Sequence, residues 1–428
     1  MSPNPVLTQP PGLLVDAQRW PDVASVPKGP VAAIGSKVAL RLLCQAAERF
    51  SVRLARPDGT ALGTGRVAAG APVIVVRQPD RLGRRLARHG LIGFGESYMA
   101  GEWDSPDLVA ALTALAAGMA HLVPRRLQRL RPLVLARQPK AQRNSLSQAQ
   151  RNIAQHYDLS NELFAAFLDE TMVYSSALFE QLPATQDELP EAQRRKVDRL
   201  LDLAGVRAGS RVLEIGTGWG ELCLRAAQRG ATVRSVTLSC EQRELALDRV
   251  RRAGFADQVA VDLCDYRSVD GQYDCVVSVE MVEAVGREYW PTYFRALDRL
   301  VVPGGRVAIQ AITMPHDRML ASRRTHTWVQ KYIFPGGLLP STEAISDVTA
   351  RHTALRTVER TSLRPHYAQT LQLWRERFLA SGDRVAALGF DHVFQRMWEL
   401  YLAYSEAGFR SGYLDVQQWV FIREGARR

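Results

Sequence analysis

The run Val212-Leu213-Glu214-Ile215 leads directly into Gly216-Thr217-Gly218-Trp219-Gly220 and then into a helical pattern from Glu221 to Gln228. A glycine-rich turn from strand to helix lets the backbone approach a ligand closely, and the helix start offers N–H groups without internal partners. The spacing is neither the GxGxxG of a dinucleotide fold nor the GxxxxGK[ST] of a P-loop. Glu214, the last acid before the turn, suits a cationic amino acid group better than a pyrophosphate.

These residues need a frame. Apolar strand-like runs at 211–215, 232–237, 258–261, 275–279 and 306–312 alternate with helical patterns, which predicts an α/β domain with a doubly wound, mostly parallel sheet. The preceding part reads as a smaller α+β domain: helical patterns at 31–43, 79–89 and 106–122, and short strands at 51–55 and 72–77 around Pro57-Asp58-Gly59. The segment 135–150 (LARQPKAQRNSLSQAQ) reads as a linker. The expected organisation is therefore a lipid- or membrane-associating domain at 1–134, the linker, and a catalytic domain at 151–428.

Charge is unevenly spread along the 428 residues. The formal excess of +11 lies within the first 150, and no Asp or Glu falls between Asp107 and Asp158, where Arg125, Arg126, Arg129, Arg131, Arg137, Lys140 and Arg143 crowd together. Such a field attracts an anionic surface, either nucleic acid or lipid head groups. The N-terminus lacks the pattern of an export signal. The longest apolar stretch, 108–123, is shorter than the roughly 20 residues that span a bilayer, so membrane contact is expected to be peripheral. Five cysteines without CxxC spacing support neither a disulfide framework nor a metal knuckle, and a reducing cytoplasm is the simplest setting.

The loop E-x-G-x-G-x-G resembles that of S-adenosylmethionine-dependent methyltransferases. In that frame the second strand ends in Thr237-Leu238-Ser239 without the acid that normally takes the ribose hydroxyls, with Gln242 just beyond, and Asp265 is placed to receive the adenine amino group. More specifically, the chain resembles the cyclopropane fatty acid synthases and mycolic acid methyltransferases. The matching pieces are HYDLSN (156–161), YSSALF (174–179), VLEIGTGWG (212–220), TLSCEQ (237–242), DYR (265–267), EMVEAVG, FPGGLLPS (334–341) and RPHYAQTLQLW (364–374). GFGESYMAGEW (93–103) resembles the N-terminal domain of the longer, phospholipid-acting members.

The resemblance implies a Rossmann-like methyltransferase domain in which Tyr174 and Ser175 close over S-adenosylmethionine, joined by Gly216, Gly218, Gly220, Thr237, Leu238 and Gln242. It implies a bound bicarbonate as general base, gripped by Glu283, Tyr367 and the backbone at Ser176 and Ile312, with Gln310 where the family keeps a histidine. Ala284 replaces a second histidine. Aromatic residues Trp328, Tyr332, Phe334, Tyr401, Tyr404, Phe409 and Tyr413 are expected to line an acyl channel and stabilise a carbocation. The closest resemblance is to actinobacterial enzymes that methylate an oleoyl-type phospholipid chain to a 10-methylene product, the precursor of tuberculostearic-type acids once a partner reductase acts. Cyclopropane synthesis is the alternative, and a non-catalytic lipid-binding regulator a remote one. The implied setting is an anionic membrane at its cytoplasmic face, with homo-oligomerisation left open, no metal, and no nucleic acid, since an Asn-Pro-Pro-Tyr-like base-binding motif is missing.

Overall fold

The computed structural model describes residues 14–63, 67–119, 160–323 and 325–425, and the chain divides into two compact units. The first contains β1 (Arg53–Ala55), β2 (Val73–Val76) and β3 (Trp103–Asp104), with β2 parallel to β1 and antiparallel to β3. Around them lie α1 (Pro21–Ala24), α2 (Pro30–Arg49), α3 (Pro79–His89), α4 (Leu91–Met99) and α5 (Leu108–Met119). Proline at the first turn of α1, α2 and α3 marks their starts, because its missing N–H is unneeded there. One face of α2 packs closely on α3, where the Ser36 hydroxyl donates to the Asp80 carbonyl at 3.1 Å. Val31, Ile34, Val38 and Leu42 form an exposed apolar stripe at helical spacing on the same helix, with Lys37 and Arg41 beside it and also exposed.

GFGESYMAGEW proves to be the centre of this unit. Glu102 is fully buried and pairs with Arg85 at 3.0 Å, while the Ser97 hydroxyl donates to it at 2.6 Å. Arg85 also donates to the carbonyls of Asp22, Val23 and Ser25, which ties α1 to the middle of the fold.

The second unit holds β4 (Arg211–Ile215), β5 (Thr232–Thr237), β6 (Val259–Leu263), β7 (Tyr273–Val279), β8 (Val301–Thr313), β9 (Leu355–Ser362) and β10 (Asp415–Arg423) in one sheet, ordered β6-β5-β4-β7-β8-β10-β9. The first five are parallel, and β10 runs antiparallel to both β8 and β9. Helices of this unit include α6 (Asn161–Phe167), α7 (Leu189–Ala204), α8 (Glu221–Gln228), α9 (Cys240–Arg252), α10 (Trp290–Leu300) and α11 (Arg364–Ala380), and α12 (His392–Arg410) follows α11 in the chain. Leu213 and Ile215 enter the core on one face of the sheet and Val212 that on the other, so both faces of β4 are covered and Glu214 is a buried acid within it. The chain leaves β4 for β5 and β6, then returns to β7 on the opposite side. The crevice beyond the carboxyl ends of β4 and β7 is therefore the topological switch point, where ligands bind in such sheets.

The expected boundary is corrected in one respect. Residues Gly389–Ser411, and with them α12, belong to the first unit, while Gly412–Arg428 returns to the second. The reason lies in the contacts of α12 with the motif above. Arg396 stacks on Tyr98 at 4.0 Å and donates to its carbonyl and that of Trp103, and the Tyr98 hydroxyl donates to Glu399 at 2.9 Å. Tyr401, Tyr404 and Phe409 accordingly lie in the first unit, whereas Trp328, Tyr332, Phe334 and Tyr413 lie in the second. The expected linker, the basic stretch 125–143 and residues 156–159 lie outside the described residues. No helix among the described residues is long and apolar enough to cross a membrane.

Candidate active site

Gly216, Gly218 and Gly220 all have positive φ, but they do different things. A Cβ on Gly216 would stand 2.7 Å from Met281 Cγ, and one on Gly220 would stand 2.9 Å from Ala246 Cβ, so both positions are closed by the protein itself. A Cβ on Gly218, at φ +52°, would meet no protein atom within 4 Å. That open side of the turn, above the start of α8, is a cradle into which a ligand's polar atoms fit. Beneath it, Glu214 is buried and accepts from the Ser235 hydroxyl at 2.6 Å, and burial pushes its carboxyl up to about 8. Glu214 thus braces β4 against β5 from within the sheet.

At the end of β5 the Thr237 hydroxyl donates to Gln242 Oε1 at 3.0 Å, so the Gln242 side chain is held by its oxygen and its amide nitrogen is the donor end. Leu238 is half-buried beside them. Asp265 accepts from Arg267 through both oxygens, at 2.8 and 2.6 Å, and caps the short helical turn that follows. The segment 174–176 is held from α7, where Lys196 Nζ donates to Ser175 Oγ at 2.6 Å and Gln193 donates to the Ser175 carbonyl at 2.9 Å. Lys196 is buried, and burial lowers its amine to about 8. Tyr174 stands against Phe164 at 5.2 Å and Trp374 at 5.3 Å, and Trp374 meets Tyr367 edge-on at 6.2 Å, so one aromatic wall runs from the cofactor segment to the candidate base residues.

Those residues do converge, around an acid that sequence reasoning passed over. Glu280, the first residue after β7, receives the Tyr367 hydroxyl on Oε2 at 2.7 Å. Its Oε1 accepts Gln310 Nε2–H at 2.8 Å and the Ser176 N–H at 3.1 Å. Glu283 accepts the Ile312 N–H on Oε1, while Oε2 is buried without a hydrogen-bond partner. Of the groups expected to grip a bicarbonate, three donors are therefore engaged with Glu280 and the fourth with Glu283, and an anion placed there would face two carboxyl groups. The one signal available beforehand was position, an acid at the carboxyl end of the strand next to the glycine turn.

Glu283 is pushed up to about 8, first by burial and second by the charge of Glu280. An unfolded glutamate titrates near 4.3. The folded protein therefore binds the extra proton between these values, and the stability linked to it, complete below the lower one, is lost as pH rises through the upper. Glu283→Gln is expected to flatten the fall of stability between pH 5.5 and 7.5 by as much as about 1.4 kcal/mol per pH unit. Denaturant midpoints across that range check it, and parallel curves would place the titration elsewhere.

A seven-stranded sheet with this order, a glycine cradle at its switch point and a buried acid cluster beside it define an S-adenosylmethionine-dependent methyltransferase. Residues 144–419 match the family model "Mycolic acid cyclopropane synthetase". The chain belongs to that family. It is 64% identical over 422 residues, 98% of each chain, to the tuberculostearic acid methyltransferase UfaA1 of Mycobacterium tuberculosis. It is 33% identical over 352 residues, 82% of this chain and 87% of the other, to the cyclopropane-fatty-acyl-phospholipid synthase of Escherichia coli. Among solved structures, the mycolic acid cyclopropane synthase CmaA1 complexed with SAH and CTAB superposes with a TM-score of 0.59 at 31% identity, covering 64% of this chain and 98% of that one.

Proposed function

We propose that the protein methylates the double bond of an unsaturated, oleoyl-type phospholipid acyl chain and yields a 10-methylene chain. The observation that carries this reading is the 64% identity, over 98% of both chains, to a tuberculostearic acid methyltransferase. Bound S-adenosylmethionine supplies an electrophilic sulfonium methyl, which an isolated alkene needs because it is a weak nucleophile. The chain's own residues do the rest. Gly218, Gln242 and the 174–175 segment hold the donor, and Tyr174, Tyr367 and Trp374 present aromatic faces to positive charge on the chain while excluding water.

The choice of methylene over ring is supported by Gln310 and Ala284. A neutral amide orients a neighbour but does not share its proton as imidazole does near neutral pH. Proton loss then lags, which gives a hydride time to shift from the methyl-bearing carbon and leave the more stable tertiary cation. Deprotonation of the new methyl from there gives the exocyclic methylene. A separate reductase would convert it to a methyl branch.

Access to the substrate is proposed from the anionic cytoplasmic face of the membrane, where the apolar stripe on α2 enters the lipid and Lys37 and Arg41 meet head groups. With vesicles of an oleoyl phospholipid, S-adenosylmethionine and no reductant, proton NMR of the extracted lipid is expected to show vinylidene signals. High-field ring-methylene signals as the main product would mean cyclopropanation instead.

A further inference from the structure

We propose that the Glu280 carboxylate is itself the base that accepts the proton released on methylation, as a side chain of the protein standing where a separate anion would otherwise be needed. The inference rests on the methyl-transfer reading above and deepens it.

Four features carry it. Glu280 lies at the switch point, and its neighbour Met281 closes on Gly216 of the cofactor turn. Its φ is +50°, a left-handed conformation that costs a residue with a side chain on the order of 1 kcal/mol, and the fold places a glutamate where glycine would sit freely. Backbone strain of this kind collects at functional positions.

Three donors from distant parts of the chain converge on the carboxylate, and their sense is set from outside. Arg199, which can only donate, gives a hydrogen bond to Gln418 Oε1; Gln418 Nε2 donates to Gln310 Oε1 at 3.1 Å; Gln310 is thereby turned so that its own N–H points at Glu280. Burial raises the Glu280 carboxyl, while the Tyr367 hydroxyl, the Gln310 amide, the Ser176 N–H and the Lys196 charge pull it back down; the two N–H groups at Oε1 pair only with an unprotonated oxygen, so a proton is taken up on Oε2.

The two oxygens also differ. Oε1 takes two donors, whereas Oε2 takes only the Tyr367 hydroxyl and keeps a lone pair for an incoming proton. Glu283 three residues on accepts the Ile312 N–H, has an Oε2 without a hydrogen-bond partner and feels the repulsion of Glu280, so it is the less stabilised of the two as an anion.

The step balances without a further reagent. As the methyl passes to the alkene, sulfur keeps the pair of the broken S–C bond and the π pair forms the new C–C bond, leaving a cation on the chain. A hydride then shifts from the methyl-bearing carbon to the cationic carbon, one C–H proton of the new methyl goes to Glu280 Oε2, and its electron pair becomes the methylene double bond; without the shift, the same pair closes the ring in the alternative outcome. The new acid O–H then donates to Tyr367 Oη, reversing that hydrogen bond.

The test uses the full-length enzyme with oleoyl phosphatidylglycerol vesicles and S-adenosylmethionine, in buffer freed of carbon dioxide or supplied with bicarbonate. The unchanged enzyme is expected to turn over at the same rate, within about twofold, in both. Glu280→Gln is expected to lose at least about 100-fold in turnover, the scale of a positioned base, with S-adenosylmethionine affinity by calorimetry kept within about threefold. Glu280→Gly removes the carboxylate and the strain together, and added bicarbonate or formate is expected to restore part of its activity with rising dose. A structural role alone would not produce that rescue. The proposal is overturned if Glu280→Gln keeps turnover within about threefold, if Glu280→Gly binds the donor yet is not rescued, or if the unchanged enzyme falls silent without bicarbonate. An unchanged enzyme that makes no methylated lipid overturns the methyl-transfer reading itself.

Discussion

Gly218→Val is expected to abolish S-adenosylmethionine binding, with affinity falling at least about 1,000-fold, or about 4 kcal/mol. Two costs add. A β-branched residue at φ +52° is strained, and the Cβ points into space that no protein atom occupies and that the donor needs. Gly254→Val separates them. Gly254 has φ +82° and equally open surroundings, but it sits in the exposed turn after α9, away from the cradle. Calorimetry is expected to show near-normal affinity in that variant and none in Gly218→Val. Equal affinities in both would remove Gly218 from the cofactor site.

Arg85→Met is expected to destabilise the first unit by about 3–5 kcal/mol, because it leaves Glu102 buried without its cation. Burial already raises the Glu102 carboxyl, and Arg85 is the largest influence holding it down. Adding Glu102→Gln to Arg85→Met is expected to recover a good part of the loss, since neither charge then remains. Thermal unfolding followed by calorimetry checks both, and a shift equivalent to less than about 1 kcal/mol for Arg85→Met would mean that water reaches Glu102. The predicted effect belongs to folding, so the donor affinity of any folded fraction is expected to be unchanged.

The elements legible in the sequence are those bounded by strong local signals. β4, β5, α3 and α8 fall where the periodicity and the Gly or Pro punctuation put them, because each is closed by a turn residue and β4 and β5 are buried on both faces. β9 and β10 were not visible. β9 is an edge strand whose LRTVERTS sequence is largely exposed and polar, and β10 lies between β8 and β9, so its meaning depends on partners more than fifty residues away. α12 looked like a continuation of the catalytic domain because nothing local says that Arg396 and Glu399 face Tyr98, nearly three hundred positions earlier. The glycine cradle, Tyr367, Gln310, Ser176 and Ile312 were legible through motifs. Glu280 was not, although it lies three residues from Glu283, because motifs report which residues recur and not which carboxylate the donors choose.

The return of α12 to the first unit has a consequence for biosynthesis. That unit lacks one of its helices until Ser411 has been made, and the second unit lacks β10, an interior strand, until a dozen residues later. At a bacterial elongation rate of about 5–20 residues per second, the interval from the end of α5 to the end of α12 lasts roughly 15–60 s. During that time Tyr98, Trp103 and the α5 face that meets α12 have no cover from their own helix, and the sheet stands open at β8. Neither unit can finish folding on the ribosome before the other is nearly synthesised. Apolar surface and a strand edge left open for that long are the features on which chaperones act in newly made chains.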